Sequence, residues 1–315
     1  MINRELIRIK TVQLTYAYYQ NGSKNIDAAE KELLFSLSKA YDMYNYLLEL
    51  IVAITQEAAK HFSVAEAKAR REGTKLPSAR FVNNQLAMML AGNSELNEIT
   101  QQQNISWQEE PEFLKKIYTQ ISESQIYKDY MAADEASFED DRELWRKLYR
   151  AFIEDNDDLD AIFEEKSLYW NDDKEIVDTF VLKTIKRFDI GNGYGQPLLP
   201  EYDNKEDREY ARHLLRAAIM NGDEYQRHMS DASQNWDFSR LAYMDIVIMQ
   251  IAIAEMLTFP SIPVSVTINE YVEIAKYYST PRSAAYINGM LDAIAHKLAD
   301  SGILLKAVGS HNRQE

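Results

Sequence analysis

Apolar positions recur along the chain with periods near 3.6 residues, which predicts an all-α protein. Helix breakers are scarce, with ten glycines and seven prolines in 315 residues. The first predicted helix runs from Ile2 to Gln20 and ends at Asn21-Gly22. Ile26 to about His61 follows as one or two long amphipathic helices, and a short apolar helix covers Phe81 to Leu90 before Ala91-Gly92-Asn93 breaks it. Pro111, at a first helical position, opens a helix through Phe113, Leu114, Ile117, Tyr118 and Ile121. Further helices are predicted over Arg142–Ile153, Leu159–Leu168 and Lys174–Phe188. Asp189 to Lys205, with Gly191, Gly193, Gly195, Pro197 and Pro200, reads as a linker. Beyond it, Tyr225 to Ser230 forms a short helix and Ile246 to Met256 an apolar one.

The stretch from Pro260 to Leu298 is the most constrained. Pro260 and Pro263 bracket a turn, and Thr267-Ile268-Asn269-Glu270 has the T-x-x-E form of a capping box. The helix it opens carries Tyr271, Val272, Ile274, Ala275 and Tyr278 and stops at Thr280-Pro281, which is also the predicted N-cap and first position of the next helix. That helix carries Ala284, Ile287, Leu291, Ile294, Ala295 and Leu298. Asn288-Gly289 lies inside it; a mid-helix glycine costs about 1 kcal/mol relative to alanine, so the expected gain is the close approach of another helix.

On the wheel of the first helix, Arg4, Arg8, Thr11 and Thr15 share a sector of roughly 60°, and apolar residues fill most of the remainder. Such a strip is either a solvated edge on a core helix or a phosphate contact line, because arginine matches phosphate in a bidentate way. A second basic segment, Lys68, Arg70, Arg71, Lys75 and Arg80, reads as a solvated face or a further nucleic-acid contact.

Ile268-Asn269-Glu270 followed by Glu273-Ile274-Ala275-Lys276, then Ile287-Asn288-Gly289-Met290-Leu291-Asp292, resembles the C-terminal signature of the NusB transcription antitermination family. Arg8, Gln13 and Tyr16 resemble its first-helix pattern, Tyr210, Arg212, Leu214 and Leu215 its Y-x-R-x-L-L helix, and Ile251, Ala252 and Glu255 its L-R-x-A-x-x-E-L. Trp236-Asp237 and Leu241-Ala242-Tyr243 lead into that last helix. The resemblance implies a compact all-helical fold of two three-helix subdomains, formed by residues 1–38 and 205–315 as an RNA-binding core. Residues 39–204 are then an acidic helical insertion that ends in the Gly/Pro linker. It further implies binding of boxA-type single-stranded RNA with the ribosomal protein NusE, within the antitermination complex of RNA polymerase. By the same resemblance Arg4, Arg8 and Lys10 contact phosphates, and Tyr278, Arg282, Ser283 and Tyr286 supply stacking and polar contacts. The hinge from Tyr278 to Tyr286 should then lie beside the Arg4/Arg8 strip. Asn269, Glu270, Asn288 and Gly289 are expected to be architectural. Gln250 stands where the family usually has arginine, and Arg282 where it is often acidic.

Charge sharpens this picture. The net charge of −15 argues against a nucleic-acid binder, but residues 108–178 hold 22 acidic and nine basic residues, which leaves the remainder close to neutral. An acidic insertion should point away from RNA or face a basic protein, so a helical protein-interaction scaffold without RNA binding is the alternative reading. Tryptophans 107, 145 and 170 are expected as core anchors of that insertion. No window of 18 apolar residues occurs, the N-terminus has no apolar leader, and cysteine is absent; a cytoplasmic protein without membrane contact, disulfides or thiolate chemistry is expected.

Enzymatic readings are weak. Glu209/His213 and Glu224/His228 have i,i+4 spacing, one residue off the E-x-x-H pairs of a dimetal bundle, and they read as surface pairs. The G-x-G-x-G string lacks a preceding strand. Some ribosomal-RNA methyltransferases carry a NusB-like domain ahead of their catalytic domain, but only about 20 residues follow the second signature helix, too few for a βαβ cofactor unit. No cofactor, metal or catalytic residue is expected.

Overall fold

The computed structural model describes the chain except residues 23–24, 134–136, 171, 234–241, 281, 307 and 309–315. Trp236-Asp237, Leu241 and Pro281 therefore lie outside the described residues. All regular structure among the described residues is helical apart from one isolated bridge between Ile2 and Tyr202. The helices are α1 (Arg4–Gln20), α2 (Ile26–Glu72), α3 (Gln85–Ala91), α4 (Ser94–Gln102), α5 (Pro111–Glu123), α6 (Gln125–Ala132), α7 (Phe138–Phe152), α8 (Asp157–Lys166), α9 (Lys174–Arg187), α10 (Asp207–Met220), α11 (Gly222–Ala232), α12 (Tyr243–Thr258), α13 (Val264–Tyr278) and α14 (Ser283–Asp300). They form two compact units, one of Met1 with residues 38–201 and one of residues 2–37 with 202–315.

The second unit is built around α12. That helix is apolar on all sides, the pattern of a helix surrounded by protein, and it packs against α1, α10, α11, α13 and α14. Residues 26–37 of α2 belong to the same unit and are held by α10. Glu30 accepts from Arg212 Nε at 2.7 Å and from Arg216 Nε, and Arg216 also pairs with Asp27. Burial would raise the Glu30 pKa, but the hydrogen bonds from Arg216 and Arg212 outweigh it and lower it. Arg212 of the Y-x-R-x-L-L motif thus ties α10 to the first turns of α2.

The first unit has an aromatic core. Trp145 and Tyr149 of α7 are fully buried. Trp107 stacks on Tyr46 with centroids 4.1 Å apart and donates to the Tyr46 carbonyl at 3.0 Å. Trp170 donates to the Lys39 carbonyl at 2.7 Å. The three tryptophans are interior, as their spacing predicts, and α4 and α6 are additional helices that periodicity does not single out.

Two local expectations are corrected. The predicted linker is packed rather than free up to its last residues. Gln196, Leu198 and Leu199 are buried, and Asn93 Nδ2 donates to the carbonyls of Tyr194 and Gln196 at 3.2 and 2.8 Å. A Cβ on Gly92 would lie 2.4 Å from the Tyr194 ring, so glycine is what lets this segment close onto α3. The capping box at Thr267–Glu270 does not form either. Helix α13 begins a turn earlier, with Pro263 at its N-cap and no side-chain cap. Both box residues have other partners: Thr267 donates to Glu255 at 2.7 Å, and Glu270 accepts from Arg8 at 2.9 Å.

Candidate nucleic-acid interface

Helix α12 carries three buried polar side chains, Asp245, Gln250 and Glu255, five residues apart. A polar group taken from water must find hydrogen bonds inside the protein, and each of the three organises a different part of the unit.

Glu255 is fully buried and collects donors from three helices. Arg8 of α1 supplies Nε at 2.8 Å and Nη2 at 3.1 Å. Thr267 and Tyr271 of α13 donate at 2.7 and 3.3 Å, and the Tyr210 hydroxyl of α10 donates as well. Burial alone would lower the Arg8 pKa, but the hydrogen bond and charge of Glu255 raise it. The hydroxyls of Tyr210 and Tyr271 are raised by burial first and by Glu255 second. The Arg8 guanidinium therefore stays charged and both phenols stay neutral throughout the physiological range.

Gln250 donates to Tyr19 Oη and to the Ala218 carbonyl, both at 2.8 Å, and accepts from Gln226 at 3.3 Å. Its neutral amide is satisfied without an acidic partner. Asp245 holds the hinge between α13 and α14: Ser283 donates to it at 2.9 Å, Ser279 donates to its other oxygen, and Thr280 Oγ1 lies 2.8 Å from Ser283 Oγ.

The basic strip of α1 is thus turned inward. Arg8 is 4% exposed and Lys10 3%, and Thr11 and Thr15 are fully buried, while Ile9, Leu14, Tyr16 and Ala17 are half-exposed. A guanidinium already shared between Glu255 and Glu270 is not a phosphate contact, and a buried Lys10 does not reach one. Arg4 alone among the three reaches solvent. Its Nε pairs with Asp207 at 3.3 Å and its guanidinium lies 5.0 Å from the Tyr210 ring centroid.

The hinge lies beside the second half of α1 instead of the Arg4/Arg8 strip. Gln13 Nε2 donates to Tyr278 Oη at 3.3 Å, and Tyr16 packs edge-on against Tyr243 at 5.7 Å. Arg4 and Gln13 are nine residues apart, about 13 Å along a helix. Ser283 is buried on Asp245, so its hydroxyl faces the interior; Tyr278 and Tyr286 are half-buried; Arg282 is exposed at the N-cap of α14. Burial first, and the charge of Asp245 second, raise the Tyr286 pKa. Asn269 is exposed, Asn288 half-buried, and a Cβ on Gly289 would meet nothing within 4 Å. The expected close helix crossing at Gly289 does not occur, because that position faces open space.

Tyr277, 72% exposed, is a residue that sequence reasoning misses. The signal is nevertheless present: Tyr271, Ile274, Ala275 and Tyr278 form an i, i+3, i+4, i+7 core stripe, which places Tyr278 against the core and Tyr277 outside it. Glu209/His213 and Glu224/His228 are pairs at 4.0 and 3.7 Å, and the described residues contain no cluster of three or more potential ligands fit for a metal. No helix of the described residues is long and apolar enough to cross a membrane.

An all-helical unit in which one apolar helix is ringed by five others, with its buried Glu255 bound by the first helix, defines the class of this protein's second unit. Residues 194–296 match the NusB family. The chain is 36% identical to the transcription antitermination protein NusB of Salinibacter ruber over 34% of this chain and 68% of that protein. It is 33% identical to that of Geotalea daltonii over 43% of this chain and 90% of the relative, and 41% identical to that of Geobacter sulfurreducens over 30% and 69%. No solved structure matches. The chain belongs to the NusB family, whose members are transcription antitermination factors and not enzymes.

Proposed function

We propose that this protein is an RNA-binding antitermination factor that takes boxA-type single-stranded RNA together with NusE, in the antitermination complex of RNA polymerase. Family membership over residues 194–296 carries the reading. The groups available to RNA are Arg4, Arg282 and the tyrosines of the hinge, with Tyr277 the most exposed ring and Tyr278 and Tyr286 at its edge. Single-stranded RNA is bound by stacking on aromatic faces and by arginine, at about 1–3 kcal/mol per stacked base. Ser283 holds the hinge from within through Asp245.

Titration of a boxA-like RNA with and without NusE, at two salt concentrations, tests the proposal. Partner-enhanced, salt-sensitive binding is expected, and Tyr277→Ala should weaken it by about 1–3 kcal/mol. Arg8→Ala is a poor probe, because it removes the partner of a buried carboxylate. Burial of Arg8 and Lys10, two expected phosphate ligands, favours the second reading, a protein-interaction scaffold using the acidic insertion. Binding of NusE with indifference to RNA would select it.

A further inference from the structure

Helix α2 continues for three turns past its last ring contact, His61 against Tyr118 at 5.0 Å. From His61 to Glu72 only Ala69 is buried, and Phe62 and Glu66 are half-buried; every other residue is exposed. The helix ends in a Schellman turn, with Thr74 N donating to the Ala69 carbonyl at 3.0 Å and Gly73 at φ +67°. A helix end that is solvent-exposed nearly all round is not held there by core packing.

Its charge runs against its surroundings. The unit of Met1 and residues 38–201 holds 31 acidic and 19 basic residues, yet residues 60–80 contain Lys60, Lys68, Arg70, Arg71, Lys75 and Arg80 against Glu66 and Glu72 alone. Lys60 is paired with Glu57 at 2.8 Å, Arg70 with Glu66 at 2.6 Å and Arg71 loosely with Glu72 at 3.7 Å. Arg80 is fixed over the Tyr130 ring at 4.3 Å. Lys68 and Lys75 make no ion pair among the described residues, and Arg71 is 77% exposed. Cations in a last helical turn are favoured by the helix dipole. That accounts for Arg70 and Arg71, but not for Lys75 beyond the helix.

We propose that this helix end, with Lys68, Arg71 and Lys75 as its contacts, is a second docking surface that binds the phosphate backbone of single-stranded RNA without reading its bases. That the polyanion is RNA rests on the function proposed above; the surface itself lies outside the span that matches the NusB family. Phe81 is 1% exposed, Phe62 is half-buried and His61 packs against Tyr118 at 5.0 Å, so the exposed groups of this helix end are mainly its cations, which suits phosphate binding without base readout.

The test uses the full chain and a uridine homopolymer at several salt concentrations. On a single strand, each phosphate that a side chain no longer neutralises flattens the plot of log K against log salt by about 0.7 units of slope. Lys68→Glu/Arg71→Glu/Lys75→Glu should therefore flatten it by about two units. Its low-salt affinity should fall at least about tenfold on the same grounds. A Lys68→Gln/Lys75→Gln variant, without charge reversal, should flatten it by about 1.4 units, and Lys68→Arg/Lys75→Arg should leave it unchanged. Unchanged slopes in the first two variants, absence of homopolymer binding by the native chain, or an effect of these variants only on an acidic protein partner would each overturn the proposal. A Tyr277→Ala/Arg282→Glu variant keeps the two readings apart. It should lose preference for boxA over homopolymer while its homopolymer slope changes by less than that of the triple variant.

Discussion

Two basic helical segments of this chain meet opposite fates. The strip on α1 goes inside, where Arg8 is bound on two sides by Glu255 and Glu270. The end of α2 stays in solvent, where Lys68 and Lys75 have no ion-pair partner among the described residues. In sequence both are sets of cations at helical spacing. The difference lies in what sits opposite. Arg8 of α1 meets a carboxylate 247 residues away, whereas among the described residues Arg70 and Arg71 of α2 pair only with glutamates of their own helix. A charged strip reports a partner or solvent, and periodicity alone does not say which.

Breaking the interior member should have the largest effect. Arg8→Ala leaves Glu255 buried without its cation, and a loss of about 3–5 kcal/mol in urea unfolding is expected. Glu255→Gln should cost less, and a double-mutant cycle should show strong coupling between the two. An exposed control, Lys68→Ala, should stay within about 0.5 kcal/mol; a loss near that of Arg8→Ala would erase the contrast.

The carboxylates sharpen the same comparison. Glu255 has donors from three helices, while Glu49 of α2 makes no hydrogen bond or ion pair among the described residues, and burial pushes its pKa up to about 7. Its folded pKa lies above the ordinary 4.5, so the folded state holds the proton to higher pH. Stability should therefore fall as pH rises from about 4.5 to about 7, by at most about 3 kcal/mol. Glu49→Gln should remove that decline, which denaturation at about pH 5 and about pH 8 would reveal. The smallest effect concerns Gly289: with open space around it, Gly289→Ala should stabilise the protein by about 1 kcal/mol. A drop in thermal stability would instead restore the close crossing that the sequence suggests.

Much of the fold is legible in the sequence. The helices at Pro111, Lys174 and Ile246, the interior tryptophans and the NusB signature in α13 and α14 follow from local periodicity and from motif order. The site is legible only in part. Arg282 can be expected at the surface, and the core stripe through Tyr271 and Tyr278 already implies that Tyr277 points out. The Gly/Pro-rich stretch from Asp189 looks like a linker because composition cannot show that Gly92 leaves room for Tyr194. The Thr267–Glu270 box fails for a related reason, since its side chains bind Glu255 and Arg8 instead of each other.

The sequence by itself determined the helical class, the family and the acidic character of residues 108–178, because these depend on spacing, motif order and composition. Only the tertiary structure decided which charges are interior. Burial of Arg8, Ser283 and Thr267 is set by Glu255 and Asp245 on α12, and hydrogen bonding between residues far apart in the chain overrides the local preference for a cap or a solvated strip.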